Sequence, residues 1–360
     1  MTIAEWPEVG PVPSSMRAVT FREFGPPEVL RMEMMPTPEP KSNEVLVRVA
    51  AVSVGRLLDL VARSGNHPYA HFVFPHILGA DHSGVVAALG SGVLSVQVGD
   101  KVATLPPIFP EDDEMARSGF SELSPALEII GTHRQGAYAE YVAVPAVNVR
   151  TVPEGMTPQE ASAVVLSGSV AMNQFNRIGG IAQGTRVIVP GATSALGSTT
   201  ALLARHLGGE VIVTSRSEEK RQKLRDLGFN HVLDVADENF ADQARAAFGG
   251  NGAQVIVDNL GDEATWRRGF DALAPGGTVV SSGAFLGLEV PVNLKRLYSL
   301  GQRVVGVRTG NLTSLDNLWT HVNAGFRAVV DRSFPLERAA EAHRYVEAGE
   351  NVGRVTLYVE

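Results

Sequence analysis

Short runs of alternating or β-branched apolar residues dominate the chain from Met16 to about Leu105: RAVTF, VLRMEM, EVLVRVAAVSV, HSGVVAALG and DKVATL. Proline and glycine turns separate them, which predicts a partly open β-barrel. Residues 106–136 break the pattern. They are acidic, irregular and turn-rich, and a lobe of that length is usually functional or inherited from a functional one. The strand pattern resumes in AYAEYVAVPAVNV. TPQEASAVVLSGSVAMNQFNRI then reads as a helix, with Thr157 as cap and Glu160 three residues on.

From Thr185 strand and helix patterns alternate. RVIVP, EVIVTS, HVLDV, QVIVDN, GTVVSSG and RVVGVR are strands; RQKLRDLG, ENFADQARAAFG and EATWRRGFDALAPGG lie among the connections. Six β-branched strands with crossover helices predict a doubly wound parallel sheet. A last helical segment, LERAAEAHRYVEAG, precedes a final strand, RVTLYVE. The expected class is α/β with two domains: residues 1–155 completed by 311–360, and residues 156–310.

Length and composition narrow the function classes. At 360 residues the chain can bury two cores, and 44% apolar with 19% charged residues is ordinary for a globular protein. A net charge of −8 argues against nucleic acid or an anionic membrane as partner. No cysteine is present, which excludes disulfides, thiolate catalysis and thiolate metal sites. The first 15 residues read as a loose arm with no signal-peptide pattern, and no apolar run reaches the length of a membrane span. A cytoplasmic protein acting on a small molecule is the expectation.

The richest chemistry lies between Arg186 and Lys223. RVIVP leads into a glycine turn, Gly191, Ala192, Thr193, Ser194, Ala195, Leu196 and Gly197, and the turn opens a helix. Gly191 permits the tight turn, and Gly197 lets the helix pack close to the sheet and the backbone approach phosphates. Such a turn brings backbone N–H groups and a helix N-terminus to one point, which favours a pyrophosphate. The next strand ends in Thr214, Ser215, Arg216 and Ser217, with Lys220 and Arg221 one turn on. An NAD site places a carboxylate there; hydroxyls and a guanidinium favour the 2′-phosphate of NADPH. The alternative is that Arg216 and Lys220 are solvated surface cations. Asn259 and Gly261, and Gly283, Ala284 and Phe285, end two further strands on the same edge, where the adenosine and the nicotinamide ribose are expected.

Taken together, MRAVTFREFGPPEVL, ILGADHSGVVAALGSGVLSVQVGDKV, GAYAEYVAVPAVNVRTVPEGM, the glycine turn, VNLKRLYSLGQRVVGV and FPLERAAEAHRYVEAGENVGRVTLYV resemble the medium-chain dehydrogenase/reductase superfamily. The resemblance covers about residues 16–360. It implies a GroES-like partly open β-barrel catalytic domain closed by the C-terminal segment, a Rossmann dinucleotide domain, and an active site in the cleft between them. It also implies a homodimer or tetramer, and puts Arg354 near the pyrophosphate.

Many members of that superfamily hold zinc. Here their catalytic ligand positions fall on Arg56, Ala80 and the Ser167-Gly168 pair, with Asp81 following Ala80. The four structural cysteine positions fall on Pro110, Asp113, Ala116 and Ser124. No thiolate site can form, so the expectation is no zinc. His67, His71, His76 and His82 leave open a histidine site, against the plainer reading of solvated or supporting histidines. The zinc-free branch resembles quinone oxidoreductases and enoyl reductases, which implies NADPH-dependent reduction of an activated C=C bond or a quinone. An enoyl-thioester reductase, a zinc-free carbonyl reductase or alcohol dehydrogenase, and an NADPH-binding protein with little turnover are the alternatives. Tyr69 is the first candidate for a substrate-facing donor, or an aromatic packing its loop. Arg56 could hold a substrate carbonyl or carboxylate, or pair with Asp59 or Asp81. His67 is a further proton-donor candidate, and Val170 stands where the family often has a hydroxyl.

Overall fold

The computed structural model describes residues 4–70, 72–110 and 112–360. The chain divides into two units, Met1–Leu166 with Asn311–Glu360, and Ser167–Gly310.

Unit 1 begins with β1 (Ser15–Phe21), β2 (Arg31–Pro36), β3 (Glu44–Val54), β4 (His76–Ile77), β5 (His82–Leu89) and β6 (Lys101–Thr104). A π-helical turn, Arg56–Val61, follows β3. The acidic lobe supplies β7 (Pro107–Ile108), the one-turn helix α1 (Glu114–Arg117) and β8 (Glu128–Ile129). Next come β9 (Tyr141–Pro145), β10 (Val149–Thr151) and the long helix α2 (Pro158–Ile178). The start of α2 is built as its sequence predicts. The Glu160 N–H donates to Thr157 Oγ1, and the Thr157 N–H donates to the Glu160 carboxylate.

The boundary between the units falls inside α2 rather than before it, at Leu166 instead of residue 155. The reason is local. Ser83 Oγ donates to the Pro158 carbonyl and Ser53 Oγ to the Ser162 carbonyl, which ties the first turns of the helix to unit 1.

Unit 2 alternates throughout: β11 (Arg186–Val189), α3 (Ala195–His206), β12 (Glu210–Thr214), α4 (Glu218–Asp226), β13 (His231–Leu233) and α5 (Phe240–Ala247). It continues with β14 (Ala253–Val257), α6 (Glu263–Ala272), β15 (Leu273–Ser281), α7 (Leu294–Ser299) and β16 (Arg303–Gly306). The six strands are parallel in the order β13-β12-β11-β14-β15-β16. The order reverses at β11, so the C-terminal end of that strand is the switch point where open α/β sheets take ligands. Ile188, Ile212, Ile256 and Val279 from the strands meet Phe240, Phe248, Trp266 and Phe270 from the helices in one core.

Unit 1 is completed by α8 (Leu312–Asn323), β17 (Val330–Pro335), α9 (Ala339–Glu347) and β18 (Arg354–Tyr358). The last strand, β18, lies antiparallel beside β3, with Val355 opposite Val54 and Leu357 opposite Val52. The main sheet runs β10-β6-β5-β3-β18-β17, and β9 also pairs with β3. Three neighbours therefore surround β3, which explains why EVLVRVAAVSV is almost continuously apolar.

Candidate active site

The glycine turn of unit 2 is shaped by close backbone approach. Gly191 has φ +65°, a left-handed conformation that costs glycine little. A Cβ on Gly197 would stand 2.4 Å from the Gly191 carbonyl oxygen, so only glycine lets α3 start against the turn. The Ser194 hydroxyl caps α3 by accepting the Gly197 N–H at 3.0 Å, and the Ser198 N–H opens the helix ladder on the Ser194 carbonyl. Among the described residues the Ala195 and Leu196 N–H groups have no protein acceptor. Ala192 is buried beneath the turn and Thr193 half-buried beside it. A cradle that a Cβ would fill, lined by outward N–H groups at a helix start, fits a dinucleotide pyrophosphate.

At the end of β12, Thr214 is buried and Ser215 nearly so, and the Ser215 hydroxyl accepts the Ser217 N–H. Ser217 caps α4 through the Lys220 N–H, which fixes the start of the helix that carries the expected cations. These cations are not equivalent. Arg221 donates to the Ser215 carbonyl at 2.8 Å and to Asp234 at 2.9 Å, and it pairs with Glu218. It is part of the scaffold. Arg216 is exposed. Hydrogen bonds from Thr265 hold the Asp262 carboxyl low, and the charges of Arg216 and Arg268 add to this. Lys220 is half-buried on α4.

Further along the edge, Asn259 Oδ1 accepts the Ser282 N–H and the Gln174 amide, each at 2.8 Å. A Cβ on Gly283 would lie 2.8 Å from the Asn259 carbonyl oxygen, so β14 and β15 end close together. Ala284 and Phe285 are exposed on the loop that follows. Gln174 carried no sequence-based role. An amide inside the apolar run VAMNQF was the signal for it.

Unit 1 holds the other candidates. The π-helical turn buries Asp59, whose two oxygens accept the Gly55 N–H at 2.6 Å and the Gly79 N–H at 2.9 Å. Burial raises its pKa to about 7, with the Asp81 charge adding to the rise and the two N–H groups opposing it. The Arg56 guanidinium donates to the Val346 carbonyl of α9. Arg63, two residues past the turn, reaches the same helix, with His343 at 3.3 Å and the Glu347 carboxylate beside it. Arginine only donates, so His343 Nδ1 accepts and its Nε2–H donates to the buried Tyr138 hydroxyl at 3.1 Å. Burial lowers the His343 pKa to about 3, so the ring stays neutral. The helix α9 thus holds the turn from which the candidate loop departs.

On that loop Tyr69 is 66% exposed. The His67 ring is buried, meets Tyr69 edge-on at 6.2 Å and accepts the Tyr69 N–H. Burial lowers the His67 pKa, and its Nε2 has no partner among the described residues. A neutral, enclosed imidazole is a poorer proton donor than the exposed phenol.

The expected zinc positions do not fit zinc. Arg56 brings a positive charge, Ala80 is buried and apolar, and the Asp81 carboxylate faces the Arg354 guanidinium at 2.7 Å. Arg354, expected at the pyrophosphate, forms that buried ion pair. His76 and His82 bond the Gly131 and Ala80 carbonyls, and His71 lies outside the described residues. Among the described residues no three His, Asp or Glu side chains come together to hold a metal ion. In the lobe, Asp113 caps α1 through the Ala116 N–H at 2.6 Å, and the Ser124 hydroxyl bonded to it holds its carboxyl low. Three of the four positions that carry structural cysteines in relatives are joined here through one carboxylate. Val170 is buried in α2.

Comparison with known proteins agrees with this architecture. Residues 41–154 match the alcohol dehydrogenase GroES-like domain, and residues 195–324 match the zinc-binding dehydrogenase family. The chain is 30% identical over 261 residues to L-galactonate-5-dehydrogenase of Escherichia coli, covering 72% of this chain and 75% of that one. It is 27% identical over 359 residues to 2-haloacrylate reductase of a Burkholderia species, covering 95% and 98%. The crystal structure of an NAD-dependent alcohol dehydrogenase matches at a TM-score of 0.88 and 32% identity, covering 96% of this chain and all of that one. With both domains and their relatives in hand, the chain belongs to the medium-chain dehydrogenase/reductase superfamily of oxidoreductases.

Proposed function

We propose that the protein is an NADPH-dependent reductase that works without zinc on a C=C bond conjugated to a carbonyl, or on a quinone. The observation that carries this reading is the charge at the positions of the family's metal ligands. Arg56 occupies one of them, buried Ala80 another, and the Asp81 carboxylate that follows Ala80 is already paired with Arg354. Without a Lewis acid at that place, an acceptor activated by its own conjugation is the fitting substrate.

Bound nicotinamide would supply the hydride. The chain's own residues bind and orient. The Ala195 and Leu196 N–H groups at the start of α3 hold the pyrophosphate. Ser215 and Arg216, with Lys220, hold the 2′-phosphate, where a carboxylate would repel it. Asn259 and Gly283 to Phe285 line the end that takes the nicotinamide ribose. Tyr69 offers its phenol to the acceptor's carbonyl oxygen, and neutral His67 supports the ring. The name of the Burkholderia relative fits this reading, since a haloacrylate is itself a conjugated C=C acid.

Oxidation of NADPH and of NADH across quinones, enones, enoyl thioesters and simple aldehydes tests the proposal. It requires faster turnover with NADPH on the conjugated acceptors. Preference for NADH, or activity confined to simple carbonyls, would overturn it. A second reading, a zinc-free carbonyl reductase or alcohol dehydrogenase, is favoured by the likeness to the sugar-acid and alcohol dehydrogenases. Turnover of alcohols in the presence of a chelator would select it.

A further inference from the structure

The Asn259 amide stands in one orientation. The Ser282 backbone N–H can only donate, so the atom 2.8 Å from it is the Asn259 oxygen. The Gln174 NH2 group donates to the same oxygen at 2.8 Å. With Oδ1 doubly engaged, the Asn259 Nδ2 points elsewhere, and among the described residues it has no protein acceptor. Asn259 is only half-buried, at the C-terminal end of β14. It therefore presents an oriented donor at the sheet edge where ligands bind.

Gln174 is costly for stability alone. It is fully buried in α2, as Ala171, Met172 and Phe175 of the same helix are, and its Oε1 has no hydrogen-bond partner among the described residues. A buried amide with one acceptor unmet is penalised, whereas an apolar side chain of the same length would pack there without that penalty. Among the described residues its one side-chain hydrogen bond reaches Asn259.

We propose that Gln174 is a positioning residue that locks Asn259 as a hydrogen-bond donor to an acceptor oxygen on the nicotinamide half of the dinucleotide, a ribose hydroxyl or the carboxamide carbonyl. This rests on the cofactor reading above. Isothermal titration of the full-length protein with NADPH and 2′,5′-ADP, and with NADH and ADP, separates the two, because the diphosphates lack the nicotinamide half. Gln174→Met should weaken the binding of the whole dinucleotide about 10-fold and leave its adenosine half unchanged, the loss of one well-placed hydrogen bond. Asn259→Ala should do the same, and the double variant should lose no more than Asn259→Ala alone. Asn259→Asp keeps the accepting oxygen, replaces the donor by a second oxygen and adds a negative charge. It should weaken the dinucleotide selectively even if Gln174→Met fails to fold. Equal losses for dinucleotide and adenosine half, or additive losses in the double variant, would overturn the proposal. If the wild-type protein binds none of the four probes, the cofactor reading falls and this one with it.

Discussion

The Arg354 guanidinium lies 2.7 Å from the Asp81 carboxylate, with the two side chains only 7% and 1% exposed. Such a pair is costly to break, because the surviving charge stays buried without its partner. Asp81→Asn should lower stability by about 3–5 kcal/mol. Replacing both residues, Asp81→Leu with Arg354→Met, should cost less than the single change. Urea unfolding of the three proteins checks the order; a double variant weaker than Asp81→Asn would refute it.

Asp59 carries a pH signature. Its pKa of about 7 in the folded protein is above the ordinary carboxylate value, so the native state binds that proton more tightly than the unfolded chain does. The stability it contributes is present below pH 4 and is lost as pH rises towards 7, by up to about 1.4 kcal/mol per pH unit. His82 and His343 act in the opposite sense. Burial lowers their folded values to about 4 and about 3, so their contribution is present at neutral pH and is lost as pH falls below the ordinary histidine value. The Asp59 effect must therefore be read as a difference. Asp59→Asn should remove the downward slope between pH 4 and 7 while leaving the histidine slope. Parallel unfolding curves for variant and wild type across that range would contradict the assignment.

Arg216 and Arg221 should part company on mutation. Arg216→Ala removes an exposed cation next to the expected 2′-phosphate and should raise the Kd for NADPH about 10-fold while leaving NADH unchanged. Arg221→Ala breaks contacts to Ser215, Asp234 and Glu218, so it should act mainly on the melting temperature. Titration with both dinucleotides and thermal unfolding distinguish the two outcomes.

Two glycines give opposite expectations for the same substitution. Gly197→Ala would bring a Cβ within 2.4 Å of a backbone oxygen, so it should shift the start of α3 and abolish dinucleotide binding. Gly269, inside α6, has its nearest neighbour at 3.7 Å, and Gly269→Ala should stabilise the protein by up to about 1 kcal/mol. Melting temperatures and binding isotherms of both variants test this.

Tyr69→Phe should slow single-turnover reduction of a conjugated acceptor without altering dinucleotide affinity, since the phenol lies on an exposed loop of unit 1. An unchanged rate would remove Tyr69 from the chemistry.

The alternation of β-branched runs located all six parallel strands, and Thr157 with Glu160 marked the start of α2, because period and capping are local properties. The glycine turn was legible for the same reason. Partnerships across the chain were not. Tyr138 and His343 are 205 residues apart, and Arg56 meets the Val346 carbonyl, which any side chain at position 346 would provide. Arg216 and Arg221 read alike as cations in the sequence. The contacts of Arg221 to the Ser215 carbonyl, Glu218 and Asp234 separate them, and the last depends on β13 lying next to β12. The unit boundary was misplaced because two serine hydroxyls, on strands far earlier in the chain, claim the first turns of α2.

Unit 2 is an insertion within unit 1: residues 167–310 separate β3 from the strand that completes its hydrogen bonding. During synthesis the β3 edge must wait for some 300 further residues before Val54 and Val52 meet Val355 and Leu357. In the meantime an apolar strand edge is open to wrong partners. The inserted unit joins neighbouring strands in sequence except at the crossover from β13 to β14, and all six of its strands are made before β18 emerges. The turn carrying Arg56, Asp59 and Arg63 is supported by α9, so it gains its final shape only after the C-terminal helix emerges. Nascent chains stalled before residue 339 should therefore carry a formed dinucleotide unit beside an unfinished catalytic one.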